Sequence, residues 1–142
     1  MKHMYPWSCA SLPNRGGSRQ SKYLKNKLIN DKKGTKYCLY LDINKYFPSI
    51  NKEIIIKKIE HKIKDGKMIK LIKDITYTCD KGLGIGYYLN QWLANFYLED
   101  TDWFINSQKG VKYYCRYMDN LTILGPNKKL LHEAKNKIIK KL

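Results

Sequence analysis

Acidic residues are scarce in this chain. Its 142 residues hold 12 Asp and Glu against 28 Lys and Arg, a formal net charge of +16. Such an imbalance favours a polyanionic partner, either nucleic acid or an acidic membrane surface. Composition alone leaves that reading level with an AT-rich coding bias that writes Lys onto solvated faces. Long apolar runs are missing too. No segment approaches the roughly 18 uninterrupted apolar residues of a membrane span, and Met1 to Ala10 contains no apolar core of a signal peptide. Paired metal ligands are absent: Cys9, Cys38, Cys79 and Cys115 lie far apart, and His3, His61 and His132 are isolated. A structural zinc site, which needs close ligand pairs, is therefore disfavoured. Without an export signal the expected compartment is the reducing cytosol. Cys38 and Cys115 lie inside apolar runs and read as small buried hydrophobes. There is no internal repeat and no linker.

What is present suffices for a core. Hydrophobic residues make up 43% and aromatics 13%, with 12 Tyr, and the length fits one domain. Residues 1–20 read as irregular, broken by Pro6, Pro13, Gly16 and Gly17. Ser21 to Asn30 reads as a short basic helix. Tyr37-Cys38-Leu39-Tyr40-Leu41, aromatic and apolar on both faces, fits a buried strand ending at Asp42. Asn51 is a cap for a helix carrying Ile55, Ile59 and Ile63, which Asp65-Gly66 ends. Met68, Leu71, Ile72 and Ile75 form a second stripe. After a flexible turn, Gly82-Leu83-Gly84-Ile85-Gly86, residues Tyr87 to Ile105 read as one long buried helix. Its polar stripe, Gln91, Asn95 and Glu99, recurs at four-residue spacing. Two β-rich runs, 111–117 and 121–124, flank Met118-Asp119-Asn120 and predict a hairpin. Asn127 caps a last helix with Leu130, Leu131, Ala134, Ile138 and Ile139 on its apolar side. That helix lacks the Trp or Phe face expected of a helix lying on a membrane.

Two of the few acids stand in unusual places: Asp42 ends an apolar strand, and Asp119 sits at an apolar hairpin tip. Two carboxylates converging there would hold Mg²⁺, a hard ion that accepts oxygen ligands and keeps positions open for phosphates. Two such ions stabilise both the attacking and leaving oxygens of an in-line phosphoryl displacement. Taken singly, Asp42 also reads as a cap for the following turn, and Asp119 as an ordinary turn residue.

The order of three motifs goes further. Leu41-Asp42-Ile43-Asn44-Lys45-Tyr46-Phe47-Pro48-Ser49-Ile50 resembles the first catalytic motif of reverse transcriptases. The glycine turn at 82–91, followed by Leu93-Ala94-Asn95-Phe96-Tyr97-Leu98, resembles their second palm motif. Arg116-Tyr117-Met118-Asp119-Asn120 resembles their third, the Tyr-x-Asp-Asp hairpin. Asn14-Arg15-Gly16 is similar to a fingers motif of some bacterial members. The turn, with Ile85 before Gly86 and Asn90-Gln91 further on, is similar to the enzymes of diversity-generating retroelements and phage-defence systems. In that branch the apolar residue at the Ile85 position is associated with loose nucleotide selection.

The resemblance implies an α+β fold, a palm-like small antiparallel sheet backed by helices. Residues 1–34 would be a partial fingers segment and 35–142 the palm, with no thumb following. It implies an RNA-directed DNA polymerase that transfers a deoxynucleotide to a primer 3′-hydroxyl. Asp42 and Asp119 would hold two Mg²⁺ ions, with Mn²⁺ as a substitute, helped by the Ile43 carbonyl. Phe47 would lie under the incoming sugar and exclude a 2′-hydroxyl; it reads equally as a core aromatic. Ile85 and Gly86 would pack near the nascent base pair. Tyr117, Met118 and Gln91 would meet primer and template. Arg15 would reach the triphosphate by bidentate contact, or stand as a solvated loop cation. Implied partners are an RNA template, a DNA primer, deoxynucleoside triphosphates and an accessory protein, with no membrane. One departure is central. Asn120 occupies the position of the motif's second Asp, and an amide oxygen ligates Mg²⁺ without bringing charge. The alternative is thus a weakened or inactive relative that binds nucleic acid or a partner protein.

Overall fold

The computed structural model describes residues 4–142. The fold is α+β, with one small antiparallel sheet backed by helices. Packing divides the chain into two units. One comprises the stretch up to Ile43 together with Leu98–Leu142, and the other Asn44–Tyr97. Among the described residues, no helix is long and apolar enough to cross a membrane.

The first unit holds strands β1 (Tyr37–Asp42), β2 (Tyr113–Tyr117) and β3 (Asn120–Gly125) in the order β1-β3-β2. β2 and β3 form the expected hairpin, and β3 pairs antiparallel with β1, placing Asp42 opposite Asn120 and Tyr40 opposite Thr122. Side chains alternate across a strand, so the register assigns the two faces. Tyr37, Leu39 and Leu41 share one face with Leu121, Ile123 and Tyr114, and this face carries the core, joined by Tyr5, Ile105, Leu131 and Ile138. Helix α6 (Glu99–Asn106) packs on β2 and helix α7 (Lys128–Lys141) on β1. Asn127 caps α7 as expected, its Oδ1 accepting from Leu130 N at 3.1 Å.

The opposite face carries Cys38, Tyr40 and Asp42, with Asn120, Thr122, Tyr117 and Cys115 beside them. Helix α1 (Gly17–Asn30) lies against its β2 side, where Gln20 Nε2 contacts Cys115 Sγ at 3.5 Å. No described helix or strand of the first unit lies against the β1 side of this face. Strand β1 is accordingly covered on one face only, and Cys38 is exposed rather than buried; Cys115, under α1, is buried as expected. The two-faced apolarity of 37–41 arises because Tyr40 is an amphipathic side chain tolerated on an open face. Helix α1 also starts earlier than Ser21: the pair Gly16-Gly17 opens it instead of breaking it.

The second unit contains α2 (Tyr46–Ser49), α3 (Lys52–Lys62), α4 (Gly66–Thr76) and α5 (Tyr88–Tyr97). Asn51 caps α3 through Ile54 N at 3.1 Å. Asp65 follows the end of α3 and also caps α4, accepting from Lys67 N and Met68 N at 2.9 and 3.2 Å. Ile55, Ile56 and Ile59 of α3 are buried, as are Ile72, Leu93, Ala94 and Phe96; Met68 and Leu71 of the α4 stripe are exposed. The expected single helix from Tyr87 to Ile105 is two. Leu98 leaves helical geometry, and α6 begins afresh with Glu99, Asp100 and Asp102 in its first turn. Carboxylates are favourable at the positive end of a helix, so this acidic cluster marks a helix start that the continuous apolar pattern hides.

Candidate active site at the hairpin tip

The open face and hairpin tip of the first unit gather Asp42, Tyr117, Met118, Asp119 and Asn120, five of the residues implicated by the sequence. Asp42, at the end of β1, is exposed. Asn120, its cross-strand partner, begins β3. Asp119 and Met118 form the two-residue tip between β2 and β3, and both are half-buried. The tip is tied back to β1 by one backbone bond, Ile43 N–H donating to the Asp119 carbonyl at 3.2 Å. Met118 takes φ 55°, the left-handed region that a tight two-residue hairpin demands and that a bulky side chain rarely adopts. Tyr117 is 42% exposed on the same face as Asp42 and Asn120.

Asn120 does not stand free. Its Nδ2 donates to Asp119 Oδ1 at 3.0 Å, and its Oδ1 accepts from the Tyr40 hydroxyl. The chain Tyr40–Asn120–Asp119 therefore orients one Asp119 oxygen. Tyr40 escapes sequence inspection; only its position two residues before Asp42, on the same strand face, could have flagged it.

Behind the tip lies the most heavily bonded side chain of the unit. Arg116 is 0% exposed and Asp102 1%, and the two meet in a fork. Arg116 Nε donates to Asp102 Oδ1 at 2.7 Å and Nη2 to Oδ2 at 2.7 Å. The same guanidinium donates to Ser8 Oγ at 3.0 Å and to the Met118 carbonyl at 2.7 Å. Tyr114 OH completes the cluster, donating to Asp102 Oδ1 at 2.6 Å. Burial and the adjacent Asp102 charge hold that phenol well above its ordinary pKa, so it remains a donor. A bidentate Arg–carboxylate pair is both strong and directional. Here it ends on the backbone of the strained tip residue, and it fixes where Asp119 begins. Sequence reading missed Asp102 and the role of Arg116. The signals available were an acid inside an apolar helix and a cation inside an apolar strand.

Arg15 is engaged elsewhere in the same unit: its Nη1 donates to the carbonyls of Tyr5 and Ser8 at 2.8 and 3.0 Å. Burial lowers its pKa from the usual guanidinium value.

The remaining candidates belong to the second unit, where two of the motifs meet. Leu83 N–H donates to the Phe47 carbonyl at 2.9 Å, and Gly82 (φ 60°) lies flat against Phe47 and Pro48. A Cβ on Gly82 would fall 2.0 Å from the Phe47 carbonyl oxygen, so close backbone approach requires glycine. Phe47 is half-buried beside Tyr46, whose hydroxyl donates to the Ala94 carbonyl at 2.6 Å. Ile85 is 81% exposed, and Gly86 (φ 100°) is open to solvent. Gln91 is half-buried on α5, its carbonyl accepting from the Asn95 amide at 3.1 Å. Asn90 is fully buried; its Nδ2 donates to the Gly84 carbonyl at 2.9 Å and holds the glycine turn to the helix. Asn95 is also fully buried, so the polar stripe of α5 faces inward and serves packing.

The donor set suits a hard cation. Mg²⁺ is commonly held by one or two carboxylates, with water and substrate phosphates completing its shell. Asp42 and Asp119 supply two carboxylates beside an open face. Among the described residues, no group of three or more His, Cys, Asp or Glu side chains is suited to hold a metal, so phosphate or water oxygens would have to complete the shell. No protein-family model matches the chain, and no curated protein matches it.

Proposed function

We propose that the chain is the palm of an RNA-directed DNA polymerase, adding deoxynucleotides to a primer 3′-hydroxyl with release of pyrophosphate. One observation carries this reading: the antiparallel register that sets Asp42 opposite Asn120, with Asp119 at the adjoining tip. A carboxylate at the end of β1 and another at the tip of the β2–β3 hairpin thus flank one open face, an arrangement with no evident packing purpose. Asp42 and Asp119 would hold Mg²⁺, which neutralises phosphate charge when bound. The chain's own contribution would be position and fixed charge. Asp119 is oriented by Asn120 and Tyr40, the tip is held by Arg116, and Tyr117 offers an exposed ring to the primer end. Deoxynucleotide preference would rest on Phe47.

Primer extension on an RNA template with Mg²⁺ tests the proposal. The chain should extend, and Asp42→Asn should reduce the rate at least about a hundredfold. Absence of extension that Asn120→Asp does not restore would refute it. A second reading, a non-catalytic nucleic-acid binder on the same scaffold, is favoured by Asn120. That residue brings no charge, and its amide oxygen is engaged by Tyr40. Calorimetric Mg²⁺ titration with template–primer and nucleotide separates the two, because only the polymerase requires Asp42-dependent uptake.

A further inference from the structure

We infer that the groove between β1 and α7 of the first unit binds a small amphipathic anion, an alkyl body that carries one phosphate or carboxylate head. The groove encloses about 600 Å³, within the range of about 300–1,000 Å³ typical of small-ligand sites. Tyr37 and Leu39 of β1 and Leu131 of α7 give it an apolar floor, and the exposed Cys38 lines it too. The other wall is basic: Lys128, Lys129, His132 and Lys135 line it, and no acid does. Lys128, His132 and Lys135 recur at i, i+4 and i+7 and so form one stripe along α7. Glu133, the only acid of that helix, lies about 100° round it from His132.

An apolar floor beside a cationic wall selects a ligand with both an apolar body and an anionic head. Like charges four positions apart on a helix repel one another, and an anion seated among them removes that repulsion. An alkyl chain laid on the floor takes its apolar surface out of water. The dimensions disfavour larger occupants. From Lys128 to Lys135 the helix rises about 10 Å, too short to track a polynucleotide. A planar membrane surface does not reach a concave floor. A strand added to the sheet edge would run along all six residues of β1, whereas the groove meets only Tyr37, Cys38 and Leu39. The site needs neither Asp42 nor Asp119, so it is independent of the polymerase reading.

The test combines calorimetry with octyl phosphate, kept below its micellar range, and alkylation of Cys38 by iodoacetamide read by peptide mass spectrometry. At ten times the dissociation constant, Cys38 should react about tenfold more slowly. Cys79, in the second unit, should react at an unchanged rate. Inorganic phosphate and octanol at the same concentration should protect Cys38 little, since one has no apolar body and the other no charge. Absence of protection by octyl phosphate would overturn the proposal. So would equal protection by either comparator, by oligouridylate or by phosphatidylglycerol vesicles. The double variant Lys128→Gln, Lys135→Gln should bind octyl phosphate about tenfold or more weakly. An equal charge change at exposed positions of α7 outside the groove, Lys137→Gln with Lys140→Gln, should leave binding unchanged. Equal losses in both would overturn the proposal, because affinity would then follow net charge alone. If the groove variant does not fold, Cys38 protection in the unaltered protein decides by itself. Asp42→Asn should bind octyl phosphate normally, so failure of the groove and failure of the polymerase reading are read separately.

Discussion

Asp102→Ala should be among the most damaging single changes in this protein, although Asp102 touches no part of the open face. The substitution removes both acceptors of the fork from a guanidinium that is 0% exposed. Ser8 Oγ and the Met118 carbonyl, at 3.0 and 2.7 Å, are neutral acceptors and do not replace the lost charge. Removing one partner of a buried ion pair costs about 3–5 kcal/mol, because the other charge stays buried and uncompensated. The Tyr114 hydroxyl loses its 2.6 Å acceptor as well, and an orphaned buried donor adds about 1–3 kcal/mol. A total near 5 kcal/mol rivals the whole stability of a small domain, about 5–15 kcal/mol. The companion double variant, Asp102→Leu with Arg116→Met, discards both charges together. Paired apolar replacement is often close to neutral, and both variants orphan the Tyr114 hydroxyl, so the double variant should be about 3–5 kcal/mol more stable than Asp102→Ala. Urea unfolding followed by circular dichroism measures both. A cost below about 1 kcal/mol for Asp102→Ala would refute the view that this pair is a dry, tightly held clamp. Even where the double variant folds well, it should bind Mn²⁺ more weakly at the tip, since nothing then holds the Met118 carbonyl.

Two further outcomes follow from other parts of the chain. Gly82→Ala should destabilise the second unit by more than about 2 kcal/mol, because φ is 60° and the new Cβ meets the Phe47 carbonyl backbone; a change under half of that in urea unfolding would show that the turn moves freely. Asp31 accepts from Gly34 N–H at 2.8 Å and from Tyr113 OH at 2.9 Å, and these bonds lower its pKa below the ordinary carboxylate value. A lowered folded-state pKa gives stability that is present above the unfolded value, near 4, and is lost as pH falls through the folded one. Asp31→Asn should therefore flatten the acid limb of a plot of melting temperature against pH, and an unchanged limb would exclude this linkage.

Local signals in the sequence were dependable where the cause is local. Asn51 and Asn127 cap the helices that follow them because capping needs only a side-chain oxygen and nearby backbone N–H groups. The hairpin around Met118-Asp119 forms because two β-rich runs meet across two residues. Asp42 and Asp119 were legible for a related reason: a carboxylate at the end of an apolar run is conspicuous in one dimension.

Contacts between distant segments were not legible. Cys38 and Cys115 stand in similar apolar runs, yet α1 covers only the β2 side of the sheet and leaves Cys38 exposed. Tyr40 reaches Asn120 across 80 positions of sequence, and no spacing rule carries that far. The amino-acid order by itself determined the charge, the capped helices, the hairpin and the two acids that mark its open face. Only the tertiary structure decided that Arg116 and Asp102 neutralise each other beneath the hairpin tip. Two isolated charges in apolar segments are each unfavourable when buried, and they become one stable feature only when packing brings them within hydrogen-bond distance.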